Sequence, residues 1–235
     1  MPDLYRNHDE VLAMLGHELR NPLAAIATAV DLIELTAEPE GAHRDAIQTL
    51  RKQVPELVRL VDGLIDVSRL LMGQLRLARE ATDLCEMVRQ AGVVVEPMLA
   101  ARKQRLVLTT PAEAATAFVD RQRLQQAVVQ LLENASKFSP EGGLVRLDLA
   151  SDLESATLYV RDEGIGIGPG LLPHVFEPFV QGSQTLDRAK GGVGIGLTLA
   201  RELARLHGGE LSVASEGERR GSEFTLKIPR GEPQG

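Results

Sequence analysis

Residues 16–22, Gly-His-Glu-Leu-Arg-Asn-Pro, bring an imidazole, a carboxylate and an amide together in one short stretch. The surrounding apolar spacing predicts a helix, on which His17 lies about 200° from the apolar stripe and faces solvent. Glu18 is adjacent, Asn21 follows on the face of His17, and Pro22 predicts a kink just beyond the histidine. This combination indicates a reactive site, with an ordinary solvated histidine as the alternative.

A second combination lies in residues 131–138, Leu-Leu-Glu-Asn-Ala-Ser-Lys-Phe, on a helix whose other face is apolar. The pattern directs Asn134 and Lys137 away from the core. An amide oxygen beside an ammonium suits a Mg²⁺–triphosphate, because Mg²⁺ takes few protein ligands and keeps waters and phosphate oxygens. For these residues alone, a solvated helix face is the alternative.

Two glycine-rich stretches follow. Residues 162–168, Asp-Glu-Gly-Ile-Gly-Ile-Gly, come directly after a predicted strand, and alternate glycines let backbone approach a ligand closely. Asp162 at the strand end can accept a hydrogen bond from an exocyclic amine such as that of adenine. The alternative is a two-strand turn, although a turn needs fewer glycines.

Residues 191–197, Gly-Gly-Val-Gly-Ile-Gly-Leu, precede a predicted helix, and free backbone N–H groups at a helix start suit phosphates. The stretch lacks the strand-helix-strand context of a dinucleotide fingerprint and the Gly-Lys-Ser/Thr of a phosphate loop. Between the two glycine-rich stretches, Phe176–Phe179 and the polar run 181–190 predict a mobile lid on aromatic anchors.

Two long amphipathic helices begin the chain. Apolar residues three or four apart predict a helix from about residue 7 to 36, a break at 38–41, and a second helix with a kink at Pro55. The resulting antiparallel hairpin has more apolar positions than one seam buries. We therefore expect a homodimer in which two hairpins form a four-helix bundle, with packing against the chain's own second domain as the alternative.

The rest of the chain predicts an α+β layer in which helices cover one face of a sheet. Residues 71–82 are expected to be a linker with a short extended piece, and Thr82 or Asp83 to cap a helix that ends near Ala101. The later predicted elements are strands 105–109 and 117–120, a helix from 121 to about 137, strands 144–150 and 156–161, a helix from about 194 to 207, and strands 210–214 and 222–228 around a charged turn at 216–221.

Composition excludes several classes of protein. The formal net charge of −7 argues against general nucleic-acid binding, since no basic excess is present to displace phosphate counterions. The single cysteine, Cys85, excludes an intrachain disulfide and is expected to be a small buried residue. No apolar run approaches the roughly 18 to 20 residues that span a bilayer, and the N-terminus lacks a signal-peptide pattern. A cytoplasmic location is the expectation.

In order and spacing, these stretches resemble the catalytic core of a sensor histidine kinase. Residues 17–22 resemble the phospho-acceptor motif of its dimerisation and histidine-phosphotransfer domain. The later stretches resemble the boxes of a GHKL-type ATP-binding domain, shared with gyrase-type and mismatch-repair ATPases: Asn134–Phe138 the asparagine box, Asp162–Gly168 the first glycine box, Phe176–Phe179 the phenylalanine box and Gly192–Leu197 the second glycine box. The resemblance covers about residues 7 to 229.

The resemblance implies roles for the matching residues. His17 would be the nucleophile toward the ATP γ-phosphate, Glu18 would accept or orient the ring proton, and Asn21 matches a position that aids hydrolysis of a phosphorylated partner. Asn134 would ligate Mg²⁺, Lys137 would contact phosphate and Asp162 would bind the adenine amine. The remaining residues of the implied nucleotide site are Phe138, Gly164, Gly166, Phe179, Gly192, Gly194, Gly196 and Leu197.

The implied architecture is a dimeric helical hairpin at residues 1–72, a linker at 73–80, a Bergerat-type ATP-binding fold with a mixed sheet covered by helices at 81–230, and a disordered tail at 231–235. The implied cofactors are ATP and Mg²⁺, and the implied partners are a second copy and the receiver domain of a response regulator. The resemblance includes no sensory segment before residue 7 and no receiver domain after residue 229. The chain is therefore expected to be a bare catalytic core, a soluble protein fed by another sensor, or an excised core, with the partner aspartate on another molecule or on a missing segment. Gln130 departs from the pattern because the family often has asparagine there, which puts a metal-ligand role at this position in doubt.

Other functions stay open at this point. A regulator-binding module that acts mainly as a phosphatase of the phosphorylated regulator shares the same residues. An ATPase clamp of the gyrase or mismatch-repair type explains the later boxes but leaves the His17 hairpin unexplained. The first expectation is therefore an ATP-dependent protein-histidine kinase that phosphorylates His17 and passes the group to a regulator aspartate.

Overall fold

The computed structural model describes residues 23–31, 33, 46–51, 53–54, 57–58, 61, 63, 75–178, 180 and 194–231. The chain divides into two compact units, one built mainly from residues 1–73 and the other from residues 74–190 and 196–235. No helix in the described part of the chain is long and apolar enough to cross a membrane.

The first unit is helical where it is described. Residues 23–31 and 46–51 are helical, as are positions 33, 53–54, 57–58, 61 and 63. Ala29 and Ala46 are buried at 3% exposure each. Several large apolar side chains stay exposed in the single chain: Leu23, Val30, Ile47, Val54, Val58 and Val61. The predicted helical character of both regions is confirmed, while the expected kink at Pro55 lies outside the described residues.

The second unit alternates strands and helices. Its strands are β1 (Glu80–Asp83), β2 (Arg105–Thr109), β3 (Thr116–Val119), β4 (Leu144–Ser151), β5 (Ser155–Asp162), β6 (Glu210–Ala214) and β7 (Ser222–Pro229). Its helices are α1 (Leu84–Ala101), α2 (Arg121–Phe138) and α3 (Gly196–Leu206), with a 3₁₀ turn at Leu172–His174. The strands and helices predicted from residue 84 onward are confirmed to within about two residues at each end, which is the usual uncertainty of element boundaries.

The main sheet of the described chain has five strands in the order β2-β4-β5-β7-β6. The β2–β4 pair is parallel, and the other neighbours are antiparallel. The mixed α+β sheet is thus confirmed. In the register of β5 and β7, Asp162 at the end of one strand pairs with Ser222 at the start of the other.

Helices cover this sheet, whose long strands bury alternate side chains. In β4, for example, Val145, Leu147 and Leu149 are buried while Arg146 is exposed. Burial of each such side chain contributes roughly 1.5 to 3 kcal/mol. Large core residues with almost no exposed surface include Met87, Leu124, Leu131, Leu147, Leu158, Leu203, Phe224 and Leu226.

Aspartates cap both long helices. The Asp83 carboxylate accepts from the Cys85 N–H (2.8 Å) at the start of α1, and Asp120 accepts from the Arg123 N–H (3.0 Å) at the start of α2. Of the two candidate caps in the sequence, Thr82 and Asp83, the structure shows that Asp83 caps α1.

Strand β1 supplies the short extended piece that was expected within residues 71–82. It pairs antiparallel with β3, with Glu80 opposite Val119 and Asp83 opposite Thr116. Glu80, the last residue of the expected linker, is thus the first residue of a two-stranded sheet. The pairing joins segments far apart in sequence, which is why local patterns predicted only an extended piece.

His207 is a buried histidine directly after α3, at 3% exposure. The Asp120 N–H donates to its Nε2 (3.1 Å), so Nδ1 carries the ring proton and donates to the Leu203 carbonyl oxygen (2.7 Å). Burial is the largest effect on the pKa of His207 and lowers it; the bond to Leu203 raises it, the nearby Arg79 guanidinium lowers it, and Asp120 raises it, with a net lowering. The fold therefore holds this ring neutral.

We expect the unfolding free energy of the second unit to fall as the pH drops below about 6.5, the ordinary pKa of histidine. The unfolded chain takes up a proton at His207 that the folded ring binds only at lower pH, so acid favours the unfolded state. Because the chain has 2 tyrosines and no tryptophan, a Tyr5→Phe background leaves Tyr159 as the fluorescent reporter of urea unfolding.

His207→Gln should flatten this pH dependence, whereas His174→Gln should preserve it, since the His174 side chain is 54% exposed. A wild-type profile that matches the His207→Gln profile would contradict the argument.

Candidate functional site

The C-terminal end of α2 carries Asn134, Lys137 and Phe138, all half-buried. They are placed there because Leu124, Val128, Leu131 and Leu132 turn the opposite face of the helix into the core. The Lys137 ammonium lies 5.0 Å from the centroid of the Phe138 ring. An amide and an ammonium therefore lie near the surface on one helical turn, as the sequence predicted.

Asp162 is a buried carboxyl at the end of β5, at 9% exposure. Its Oδ1 accepts from the Gly164 N–H (2.8 Å), and its Oδ2 accepts from the Ser222 hydroxyl. Burial raises the pKa of Asp162 above its ordinary value, and these hydrogen bonds act in the opposite direction. A carboxylate has about four lone-pair positions, so it can accept from a ligand amine in addition to these bonds.

The loop after Asp162 is bonded to the end of α2. The Ile165 N–H donates to the Phe138 carbonyl oxygen (3.2 Å). A Cβ at Gly164 would come within 2.5 Å of that same oxygen and 2.6 Å of the Asp162 Oδ1. Glycine is therefore required for the loop to lie against the helix end, and the contact brings Asp162 and the Asn134–Phe138 turn into one site.

The β6–β7 turn supports this loop from its other side. The Arg219 N–H donates to the Ile165 carbonyl oxygen (2.6 Å), and the Gly221 N–H donates to the Gly164 carbonyl oxygen (3.2 Å). The Ser215 hydroxyl accepts from the Ile167 N–H (3.0 Å). The charged turn 216–221 is thus a structural support of the first glycine-rich loop.

Sequence reasoning missed this role and that of Ser222. Both depend on pairing between β5 and β7, which lie about 60 residues apart in the chain. The one local signal was Gly221-Ser222 at the start of a predicted strand. By itself that signal indicates a turn rather than a hydrogen-bond donor to a buried carboxylate.

Gly166→Ala should destabilise the second unit by about 2 kcal/mol or more. Gly166 has a φ of +69°, and an added Cβ would lie 2.0 Å from the Gly217 carbonyl oxygen. Gly168→Ala is the matched control, since a Cβ there meets no atom within 4 Å. Urea unfolding followed through Tyr159 measures both variants, and equal stabilities of the two would contradict the expectation.

The second glycine-rich stretch is described from Gly194, which has a φ of +71°. Gly196 begins α3, and a Cβ on it would lie 2.2 Å from the Gln130 Oε1. Leu197 follows, half-buried, in the first turn of the helix. The Gln130 amide thus packs against the start of α3, and its Nε2 donates to Glu133 (3.2 Å). These contacts give Gln130 a packing role in this structure.

Phe176 anchors the segment that leads away from the first loop. Its ring packs edge-on against Phe224, with centroids 6.3 Å apart, and the Arg201 guanidinium carbon lies 5.5 Å from its centroid. The expected aromatic anchor is present at Phe176. The expected lid at 181–190 lies outside the described residues.

Several predicted site residues also lie outside the described residues: His17, Glu18, Asn21, Phe179 and Gly192. Within the second unit, α2 connects the other predicted stretches. It contacts the Asp162 loop through Phe138 and the start of α3 through Gln130. Among the described residues no three His, Cys, Asp or Glu side chains are grouped to hold a metal ion.

A buried carboxylate acceptor, close backbone loops and a nearby amide and ammonium can together bind a purine nucleotide. Residues 119–232 match the family model described as "Histidine kinase-, DNA gyrase B-, and HSP90-like ATPase". Residues 7–73 match the model described as "His Kinase A (phospho-acceptor) domain". The two matches occur in the order that the motifs predicted.

The chain is 33% identical over 226 residues to the alginate biosynthesis sensor protein KinB of Pseudomonas aeruginosa, a match that covers 95% of this chain and 37% of KinB. The chain thus spans little more than a third of the length of this curated relative. The structure of Acinetobacter baumannii histidine kinase AdeS superposes with a TM-score of 0.71 at 25% identity over 92% of this chain and 98% of AdeS.

Full-length ShkA in complex with AMPPNP superposes with a TM-score of 0.71 at 27% identity, over 95% of this chain and 46% of ShkA. The α2 site, the order of the two domain matches and these likenesses agree with one another. The chain belongs to the sensor histidine kinases, of which it carries the phospho-acceptor domain and the ATPase-type catalytic domain.

Proposed function

We propose that this chain is an ATP-dependent protein-histidine kinase that phosphorylates His17 and transfers the phosphoryl group to an aspartate of a response regulator. The observation that carries the proposal is the buried Asp162 carboxyl, joined through the Gly164–Ile165 backbone to the end of α2. The AMPPNP complex of the similar protein ShkA supports a nucleotide ligand.

Asp162 selects adenine in this proposal. Its carboxylate accepts from the exocyclic amine, while Ser222 and the Gly164 N–H hold the carboxyl group in place. A guanine would direct its carbonyl oxygen at the same carboxylate, so two acceptors would face each other with no donor between them. The site therefore distinguishes ATP from GTP.

Asn134 and Lys137 bind the phosphate end. Lys137 supplies a positive charge, and the Asn134 side-chain oxygen is the protein ligand for Mg²⁺, with Phe138 completing the turn that carries both. The donor set fits this ion, because Mg²⁺ prefers oxygen ligands and usually keeps several waters and phosphate oxygens. When bound, the ion neutralises phosphate charge. The backbone of Gly164, Gly166, Gly192, Gly194 and Gly196, with Leu197 and Phe179, encloses the nucleotide.

At His17 a neutral ring nitrogen attacks the γ-phosphorus. A nitrogen–phosphorus bond forms as the bond from that phosphorus to the β–γ bridging oxygen breaks, and ADP leaves. Glu18 accepts or orients the proton on the other ring nitrogen. In the second transfer, a regulator carboxylate oxygen takes the phosphoryl group and His17 regains a neutral ring. Asn21 positions a water for hydrolysis of the phosphorylated regulator.

We also propose that the chain works as a homodimer through the helical hairpin of residues 1–72. The exposed apolar side chains of the described helical positions support this, since Leu23, Val30, Ile47 and Val58 are each 40% exposed or more in the single chain. A four-helix bundle from two copies removes such surface from water.

The proposed ATP-binding domain comprises residues 81–230. It follows a linker at residues 73–80 and precedes a tail at residues 231–235.

The test is incubation of the full chain with γ-labelled ATP and Mg²⁺, followed by a panel of receiver domains. We expect a label on the protein that is lost in acid and kept in alkali, as a phosphohistidine requires, and its transfer to at least one receiver. An unlabelled wild-type protein would overturn the kinase proposal. Release of label from a prephosphorylated receiver without any labelling of the chain would favour the phosphatase alternative.

A further inference from the structure

The segment between α1 and β2 contacts the end of α2 through Arg102, although it lies outside the nucleotide motifs. The Arg102 Nη1 donates to the carbonyl oxygens of Ser136 (2.6 Å) and Lys137 (3.1 Å). Its Nη2 donates to the Ser139 carbonyl oxygen (3.0 Å). One planar guanidinium therefore spans three carbonyl groups at the end of the helix that carries Asn134 and Lys137.

Gln104 contacts the same turn from within the core, at 6% exposure. Its Nε2 donates to the carbonyl oxygens of Ser136 (2.9 Å) and Pro140 (3.0 Å). Its Oε1 accepts from the Ser136 hydroxyl. The amide is thus held at both ends, so its orientation is set by the protein.

These two side chains meet a need that every helix end has. The last four carbonyl groups of a helix have no partner within the helix, and they carry partial negative charge. In the last turn of α2 the Ser136 and Lys137 carbonyl oxygens accept from Arg102. Just after the helix, the Ser139 and Pro140 carbonyl oxygens accept from Arg102 and Gln104. The Phe138 carbonyl oxygen accepts from the Ile165 N–H.

We propose that Arg102 and Gln104 are positioning residues for phosphoryl transfer, which hold the last turn of α2 and thereby set Asn134 and Lys137 against the metal and the phosphates. The inference rests on the proposed function. It goes beyond that function because neither residue belongs to a nucleotide-binding motif, and both act through the backbone of α2.

The geometry separates this role from general stabilisation. Arg102 and Gln104 bond to the turn at Ser136–Pro140, whereas Asp162 at the adenine end is held by Gly164 and Ser222. The Asp162 loop also touches this turn, through the Ile165 N–H bond to the Phe138 carbonyl oxygen, but Ser222 holds Asp162 from the other side. Loosening the turn should therefore weaken binding of the phosphate end more than binding of the adenine end. A purely structural role would weaken binding of the phosphate part and of the adenine part equally, or would weaken neither.

The test compares Arg102→Gln with Lys103→Gln, which removes the same charge one residue away. Lys103 is 80% exposed and pairs with Glu141. Calorimetry on the full chain measures two probes, Mg²⁺–ATP and adenosine. We expect Arg102→Gln to weaken Mg²⁺–ATP binding about tenfold, the effect of losing one charge-assisted hydrogen bond from a misplaced Lys137 to the phosphates, and adenosine binding by less than about twofold.

Arg102→Lys should give an intermediate loss for Mg²⁺–ATP, because an ammonium cannot span three carbonyl groups as the fork does. It also serves if Arg102→Gln fails to fold. Unchanged Mg²⁺–ATP binding in the folded arginine variants would overturn the inference. An equal loss for both probes would also overturn it, since that is the result of a purely structural role.

Asn134→Ala separates failure of this inference from failure of the proposed site. If Asn134→Ala weakens Mg²⁺–ATP binding and Arg102→Gln does not, the positioning role alone is wrong. If Asn134→Ala also leaves binding unchanged, the assignment of the phosphate end to α2 is wrong.

Discussion

In the His17→Gln variant we expect complete loss of the acid-labile label that ATP and Mg²⁺ place on the wild-type protein. A glutamine amide nitrogen shares its lone pair with the carbonyl group, so it lacks the nucleophilicity of a neutral imidazole. The assay is labelling with γ-labelled ATP, followed by acid and alkali treatment of the denatured protein.

The control for this prediction is nucleotide binding. His17 lies in the matched phospho-acceptor domain, residues 7–73, and Asp162 in the matched ATPase-type domain, residues 119–232. Mg²⁺–ATP affinity measured by calorimetry should therefore stay within about twofold of wild type. Acid-labile label that persists in His17→Gln would show that another histidine is the acceptor.

For Asp162→Asn we expect ATP affinity to fall about ten- to a hundredfold, the effect of losing a buried hydrogen bond to a charged group. The Gly164 N–H favours an oxygen at the Oδ1 position, which places the new amide nitrogen beside the Ser222 hydroxyl. The hydroxyl can accept from one N–H of that nitrogen. The second N–H of the amide then faces the adenine amine, so two donors oppose each other and no hydrogen bond forms.

The same substitution should narrow the preference for ATP over GTP, because the exposed amide N–H can donate to the guanine carbonyl oxygen. Competition calorimetry with the two nucleotides measures the ratio. Glu163→Gln is the matched control. Glu163 is exposed and adjacent in sequence, so the ratio of ATP to GTP affinity in this variant should equal that of wild type. If Asp162→Asn kept the wild-type ratio of ATP to GTP affinity, Asp162 would not be the residue that binds adenine.

The strands and helices of the second unit could be predicted from local pattern because each buries one face. Alternation in β4 and a 3.6-residue period in α2 are properties of short windows, and the structure keeps both. Strand β1 could not be predicted in the same way. Its partner β3 is remote in sequence, and its four residues carry too little alternation to stand out.

The candidate site divides in the same way. Asn134, Lys137, Asp162 and the glycines were found because each lies in a contiguous stretch of unusual composition. Ser222, Arg102 and Gln104 were not found, because a serine after a glycine and two polar residues between elements are common in any loop. Their significance comes only from what they contact.

The sequence by itself determined which chemistry is available: a histidine beside a carboxylate, an amide with an ammonium, and two glycine-rich stretches, the first of which begins at Asp162. It also determined the element order, since hydrophobic period is local. The tertiary structure decided that Asp162 is buried and held by Ser222, that the β6–β7 turn supports the first glycine-rich loop, and that Arg102 and Gln104 close the end of α2. These contacts join residues about 30 to 60 positions apart. They exist only once strand pairing and helix packing bring those segments together, which no local pattern encodes.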